Sequence, residues 1–440
     1  MGDRSASSVT GHLEALFKKY DDVPREVVVK EDILREGIAP SRAALAHDPR
    51  HETYQLFSWD PSRPEEMEEQ TAAISLPDIL VLEGGQYSLR PVRVRPRIRE
   101  KSAYALDVVN GGLAVCDRAT STPLVPVVPF PPEPECFSKA FDDGTLYREI
   151  CGLECHIIAF RQCQYWGKQE ECKFCDINEN ARVKMRLGQV KTLQPKKTDQ
   201  VATVIEEYLV NQGIELTSHP YYRTGVRHVH LNGGTVTTSL QGAGEQEFYL
   251  NYVDAIKQRI GNRFPICVQT TPWTKEMEQM AYQRGVNVRM SNFEVWDSSL
   301  FKVICPGKSK YIGREEWIRR MLEQVDIFGE GNVCSGFVAG VEMGRPWGFK
   351  TVEEAVRSST EGMEFFMSHG IVVRPISWCV EGLSDLGGQP LPPTDYFVQI
   401  DRNWFEIWLK YNLPPHAMFS GVGPGVNTYP NSGAMDMGLV

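Results

Sequence analysis

The sequence predicts an α/β fold, a partial (β/α)6 barrel with an N-terminal α+β domain before it and a C-terminal extension after it. Three observations predict this. From about residue 150 onward, short β-branched runs alternate with longer amphipathic stretches, the pattern of βα units around a parallel sheet. Six such runs occur, at Glu154–Phe160, His228–Asn232, Ile266–Thr271, Asn287–Ser291, Val333–Ala339 and Ile371–Ile376. Ahead of them, Pro123, Pro126, Pro129, Pro131, Pro132 and Pro134 make a stiff extended segment of the kind that separates domains.

These features divide the chain into residues 1–130, an accessory domain, 131–385, the barrel, and 386–440, a helix with a glycine- and proline-rich tail. In the first part a helix is predicted near Gly11–Tyr20 and strands around Asp78–Glu83 and Tyr87–Arg99. Arg93, Arg95, Arg97 and Arg99 alternate, so one strand face reads as basic and either solvated or ion-paired, with an anion site as the sharper alternative. In the barrel, helices are predicted over Asp199–Asn211, Leu250–Ile260, Lys275–Arg284, Arg314–Phe328 and Val352–His369. Trp404, Phe405, Ile407 and Trp408 give the last part a helix with an apolar face. Residues Ser420–Gly433 read as a lid or a loose terminus, with His416 and Tyr429 as minor catalytic candidates.

Composition narrows the class. The chain has 440 residues, 42% of them apolar, enough for a barrel-sized core and a smaller domain. A net charge of −10 without a long basic run speaks against nucleic acid as the main partner. No stretch approaches 18 consecutive apolar residues and the first twenty residues lack a signal-peptide pattern, so the expected location is cytoplasmic, with no membrane partner. Eleven cysteines, an odd number scattered along the chain, fit reduced thiols and metal rather than a disulfide framework.

In parallel α/β folds the functional groups gather at the C-terminal ends of the strands. Directly after the first predicted strand stands Cys163-Gln-Tyr-Trp-Gly-Lys-Gln-Glu-Glu-Cys172-Lys-Phe-Cys175. Three thiolates from one loop suit an iron–sulfur cluster, and three protein ligands leave one iron open. A zinc knuckle is the competing reading; it needs a fourth ligand, which Cys155 or His156 supplies only by bending the strand. Three further segments follow in order: Leu231-Asn-Gly233-Gly234-Thr235 after strand two, Met290-Ser-Asn-Phe-Glu294 after strand four with Arg314 opening the next helix, and Gly336-Phe-Val338-Ala-Gly340-Val-Glu342 along strand five. Glycine permits close backbone approach, and a glutamate with an arginine matches a zwitterion.

These residues resemble the radical S-adenosylmethionine (SAM) superfamily, with a TIM-like barrel most similar to the biotin synthase and hydrogenase-maturase branch. The likeness runs from about Gly152 to Pro375. Cys172-Lys-Phe174-Cys175 is similar to the second half of the superfamily's cysteine signature, in which an aromatic residue precedes the last cysteine. The first gap is eight residues here, where the superfamily usually has three. The resemblance implies a [4Fe–4S] cluster on Cys163, Cys172 and Cys175, and SAM held by Phe174, Gly233, Gly234, Thr235, Glu294, Arg314 and Val338. Gln269 and Thr271, pointing the same way along strand three, are expected to face its ribose or to fill the barrel. Thr235 replaces the usual acid of the Gly-Gly-Glu motif.

The activity implied is reductive cleavage of SAM to methionine and a 5′-deoxyadenosyl radical that abstracts hydrogen from a small-molecule substrate, a peptide being the alternative. An anaerobic enzyme served by an electron donor such as flavodoxin or ferredoxin is expected. Rival readings are cleavage of another SAM bond, giving 3-amino-3-carboxypropyl or methyl transfer, and a zinc-binding interaction protein with a degenerate barrel. No Asp-x-His-x-x-Gly cobalamin motif occurs. No auxiliary cluster is expected, because Cys267, Cys305, Cys334 and Cys379 stand as isolated singletons and Cys116, Cys136, Cys151 and Cys155 are irregularly spaced.

Overall fold

The computed structural model describes residues 8–47, 79–152, 155–186, 188, 192–212, 228–414 and 429–438. Its centre is a six-stranded parallel sheet of His156–Phe160, Val229–Gly233, Ile266–Gln269, Val288–Met290, Val333–Ala339 and Ile371–Ser377, paired strictly in sequence order. A doubly wound sheet reverses its order at a switch point. Here every crossover runs the same way, which gathers the helices on one face and leaves the other face as the inside of an open barrel. The fifth strand has its predicted bounds, and all seven of its residues are buried.

The register decides which side chains face inward, since partners in a parallel ladder project to the same face. His156 pairs with His230, His230 with Cys267, Gln269 with Met290, Met290 with Cys334, and Gly336 with Arg374. These residues line the lumen. Arg289, one position away, points outward to the Glu278 carboxylate on the helix Lys275–Gln283. The helix Arg314–Phe328 has its predicted bounds, and Val352–Met367 starts at a capping box between Thr351 and Glu354.

In the first 130 residues a four-stranded sheet, Ala39–Pro40, Tyr104–Val109, Gly112–Asp117 and Thr122–Pro126, accompanies a hairpin of Leu80–Gly84 and Leu89–Val94. Pro123 and Pro126 therefore sit in an edge strand, where a missing N–H costs no ladder bond. The alternating arginines do not share a strand face. The strand stops at Val94, Arg93 is 1% exposed, and Arg97 reaches across the molecule to an ion pair with Glu381. The ion-paired reading holds for Arg97, and the solvated one fails for Arg93.

The helix Arg25–Glu36, absent from the sequence prediction, is buried from Val27 through Leu34, charged residues included. Lys30 donates to Asp436 at 2.7 Å, Glu31 accepts from Ser377 and the Gly433 N–H, and Asp32 accepts from Tyr104 and Thr394. Buried charges hold their place only when paired in this way. The same network fixes residues 429–438: Ser377 N–H donates to Asn431 O and Arg95 N–H to Pro430 O. The predicted C-terminal helix is observed at Thr394–Tyr411, with Trp404 fully buried and its indole N–H on Val373 O at 2.6 Å. That helix is core, and residues 429–433 are packed, so neither acts as a lid. His416, residues 420–428, Asp78 and Glu154 lie outside the described residues.

Candidate cofactor site

The loop leaving the first strand brings Cys163, Cys172 and Cys175 to one cavity of about 380 Å³, shared with Tyr165, Asp176, Asn178 and Ser384. Its shape is set by Asn178, 2% exposed near the start of the helix Ile177–Arg186. The Asn178 side-chain oxygen accepts from Cys163 N–H at 2.8 Å, and its amide donates to Cys163 O, Tyr165 O and the Glu171 carboxylate. One side chain thus ties both ends of the cysteine loop. Asn178→Ala is expected to cost about 1–3 kcal/mol by orphaning these buried groups. The loss should show in urea midpoints of cluster-free protein, and an unchanged midpoint would remove the role.

Burial pushes the Cys163 thiol up to about 11 and Cys175 well above its ordinary value. Cys172 is held below the usual thiol range, by a hydrogen bond from Cys305 first and then by the Lys308 ammonium, against the opposing effect of burial. Cys155 precedes the first strand and Cys163 follows it, so the two stand at opposite strand ends. Among the described residues no three His, Cys, Asp or Glu side chains converge closely enough to hold a single metal ion. Soft donors around one chamber fit a thiolate-held cluster.

Asp176 supplies a second observation on fit. It is 2% exposed in the wall of this cavity, both carboxylate oxygens are buried without hydrogen-bond partners, and burial pushes it up to about 6. An orphaned carboxyl beside three thiols suits a ligand carrying hydrogen-bond donors.

The other predicted residues are placed as follows. Gly234 packs where a Cβ would lie 1.8 Å from Gln162 O and 2.5 Å from Cys163 Cα, so the glycine admits the cysteine loop itself. A Cβ on Gly233 would meet Tyr249 and Phe160. Thr235 O accepts Gln164 N–H at 2.8 Å, and Phe174 is half-buried against the core. Gln269 faces the lumen and contacts His230 at 2.7 Å. Thr271 does not share its face: the strand ends at Gln269, and the Thr271 hydroxyl turns to the buried Glu245 carboxylate. Val338 faces the lumen beside Ile376.

Glu294 is already paired. Its carboxylate accepts from Lys308 Nζ at 2.7 Å, with Lys308 also on Asn292 O and over the Trp317 ring at 4.7 Å. Arg314 lies elsewhere: it donates to Trp296 O, stacks on the Trp296 ring at 4.5 Å and lines a separate cavity of about 490 Å³ with Arg357 and Glu361. The structure thus joins Glu294 to Lys308, a residue fourteen positions on that no sequence motif marked.

Of the lumen histidines, the sequence marks His156 only as a fourth zinc ligand and leaves His230 unmarked. His156 and His230 stack at 4.6 Å, with Arg374 over the Tyr429 ring at 4.0 Å on the same side of the sheet. Burial, then the charge of Arg95, pushes His156 down to about 3. The folded chain therefore refuses a proton that the unfolded chain takes up below about pH 6.5, and stability falls from there toward pH 3. His156→Gln is expected to flatten that acid limb in thermal melts; an unaltered pH profile would show His156 does not carry it.

No protein-family model matches the chain. It is 29% identical over 137 residues to bacteriochlorophyllide c C-7(1)-hydroxylase of Chlorobaculum limnaeum, a match covering 31% of either protein. Among solved structures it is similar to methylornithine synthase (PylB), with a TM-score of 0.38 and 15% identity over 57% of this chain and 61% of that one. HydG, a maturase of the [FeFe]-hydrogenase, gives a TM-score of 0.34 and 11% identity over 53% and 46%. Among the described residues no helix is long and apolar enough to cross a membrane. A three-cysteine loop leaves the first strand of a sequentially ordered parallel sheet, and the glycine and glutamate segments follow at the ends of later strands, the arrangement that the sequence resemblance implied.

Proposed function

We propose that the chain is a radical SAM enzyme acting on a small-molecule substrate, with Cys163, Cys172 and Cys175 as the ligands of a [4Fe–4S] cluster. The observation that carries this is the meeting of the three thiols and the unpartnered Asp176 carboxyl in one cavity. When bound and reduced, the cluster supplies the electron that cleaves SAM to methionine and a 5′-deoxyadenosyl radical, which takes hydrogen from the substrate. The protein's own part is orientation and exclusion of water.

In this reading Asn178 and Gly234 hold the cysteine loop, and Phe174, Gly233, Thr235, Gln269 and Val338 are the SAM side of the barrel mouth, while Thr271 stays with Glu245. Glu294 is assigned to the amino acid end of SAM with Lys308 as its partner; Arg314, held by Trp296 at a separate cavity, is not part of this assignment. The buried Glu294–Lys308 ion pair lies beside the cysteine loop. The proposed domain limits are 1–130, 131–385 and 386–440, and the proposed electron donor is a flavodoxin or ferredoxin.

The test is anaerobic incubation of reconstituted protein with SAM and dithionite. Methionine and 5′-deoxyadenosine are expected. Methylthioadenosine above the level of spontaneous decay, without 5′-deoxyadenosine, would replace the adenosyl-radical reading with 3-amino-3-carboxypropyl transfer, a possibility raised by the eight-residue first gap. Colourless protein holding one zinc would overturn both.

A further inference from the structure

We propose that Cys305 is a resolving thiol for Cys172, making the pair a site of disulfide formation when the cysteine cavity holds no cluster. The bond rests on geometry alone; its consequence, that a cluster ligand is taken out of play until reduced, rests on the reading above.

The geometry begins with two backbone hydrogen bonds, Lys173 N–H to Ile304 O at 2.8 Å and Gly307 N–H to Glu170 O at 2.9 Å. They clamp the turn at residues 170–173 onto the junction between the helices Ser298–Ile304 and Pro306–Tyr311, and bracket Cys172 against Cys305. Gly307 makes the approach possible: a Cβ there would fall 2.5 Å from Glu170 O and 2.5 Å from the Tyr165 ring. Beyond it Tyr311 donates to the Glu170 carboxylate at 3.1 Å and its ring stacks on Tyr165 at 5.5 Å, so the register is held on that side too. The two thiols lie close enough to perturb one another: Cys172 is held below and Cys305 well above the ordinary thiol range.

Access sets the order of events. Cys172 lines the cavity, whereas Cys305 is fully buried behind it. A small disulfide such as oxidised glutathione therefore meets Cys172 first. The Cys172 sulfur attacks one glutathione sulfur, the glutathione S–S bond breaks, and a mixed disulfide remains with one glutathione thiol released. The Cys305 sulfur then attacks Cys172 and expels the second glutathione. In sum two S–H bonds become one S–S bond, and two electrons and two protons pass to the glutathione disulfide. The competitor is Cys175, held in a turn by its N–H on Cys172 O at 3.0 Å.

Full-length cluster-free protein is treated with oxidised glutathione, quenched by alkylation and digested without reduction for mass spectrometry. A Cys172–Cys305 crosslink is expected as the main product. In Cys305→Ser the reaction should stop at a glutathione adduct on Cys172. Cys305→Ala is run beside it, so that a folding defect in one variant does not decide the result. A Cys172–Cys175 or Cys163–Cys172 bond as the main product, or wild-type protein stopping at the adduct, would overturn the proposal. Iron uptake by never-oxidised protein is measured separately: failure there sinks the cluster reading and leaves the crosslink result standing.

Discussion

Replacing Cys163, Cys172 or Cys175 by alanine should reduce iron and sulfide after anaerobic reconstitution to background, with loss of the broad absorbance near 400 nm typical of such clusters. Each thiol lines the same cavity, so each removal leaves two protein donors where three are needed. Cys155→Ala should keep its iron. The strand His156–Phe160 separates it from the cavity, and five residues at about 3.3 Å each make a distance of about 16 Å that no side chain spans. Because Cys305 stands beside Cys172, the Cys172→Ala measurement is repeated with Cys305→Ala, which removes the neighbouring thiol as a substitute ligand. Iron lost with Cys155→Ala and kept with Cys163→Ala would reverse the ligand assignment.

Gly234→Ala should be nearly as damaging to iron content, though residue 234 carries no donor. Its Cβ would lie 1.8 Å from Gln162 O, 2.4 Å from Gln162 C and 2.5 Å from Cys163 Cα, all backbone atoms that cannot rotate aside. The Gly234 N–H is committed to Phe160 O and its carbonyl to the Tyr249 hydroxyl, so the glycine cannot retreat either. The loop must move, and the expected cost in cluster-free protein is at the upper end of about 1–3 kcal/mol. Gly11→Ala is the control: nothing lies within 4 Å of its Cβ, and alanine in an exposed helix position gains about 0.5–1 kcal/mol. Full iron content and an unshifted melting midpoint in Gly234→Ala would show that the close packing does not govern the loop.

Gly234 also shows how a correct motif carries a different physical meaning in the folded chain. Glycine at that point was expected because a cofactor needs close approach, and the closest approach in the structure is made by the chain's own cysteine loop. Thr271 and Arg314 diverge for a related reason. A strand that ends at Gln269 cannot hold Thr271 in alternation, and an arginine with two aromatic rings and a carbonyl beside it settles there before it reaches a second site.

What the sequence determined by itself is local: the strand Val333–Ala339, the helix Arg314–Phe328, and a cysteine loop immediately after a strand, each set by periodicity or spacing over a few residues. The helix Arg25–Glu36 escaped because it is buried on all sides, so no apolar stripe marks it, and its Lys30, Glu31 and Asp32 read as surface charge until Asp436, Ser377 and Thr394 meet them. Tertiary structure alone decided that Lys308 neutralises Glu294, that Asn178 ties the cysteine loop, and that Cys305, a singleton in the sequence, lies against Cys172. Patterning reports what one segment does with its own neighbours, whereas charge pairing and thiol contact depend on where distant segments are brought together by the burial of others.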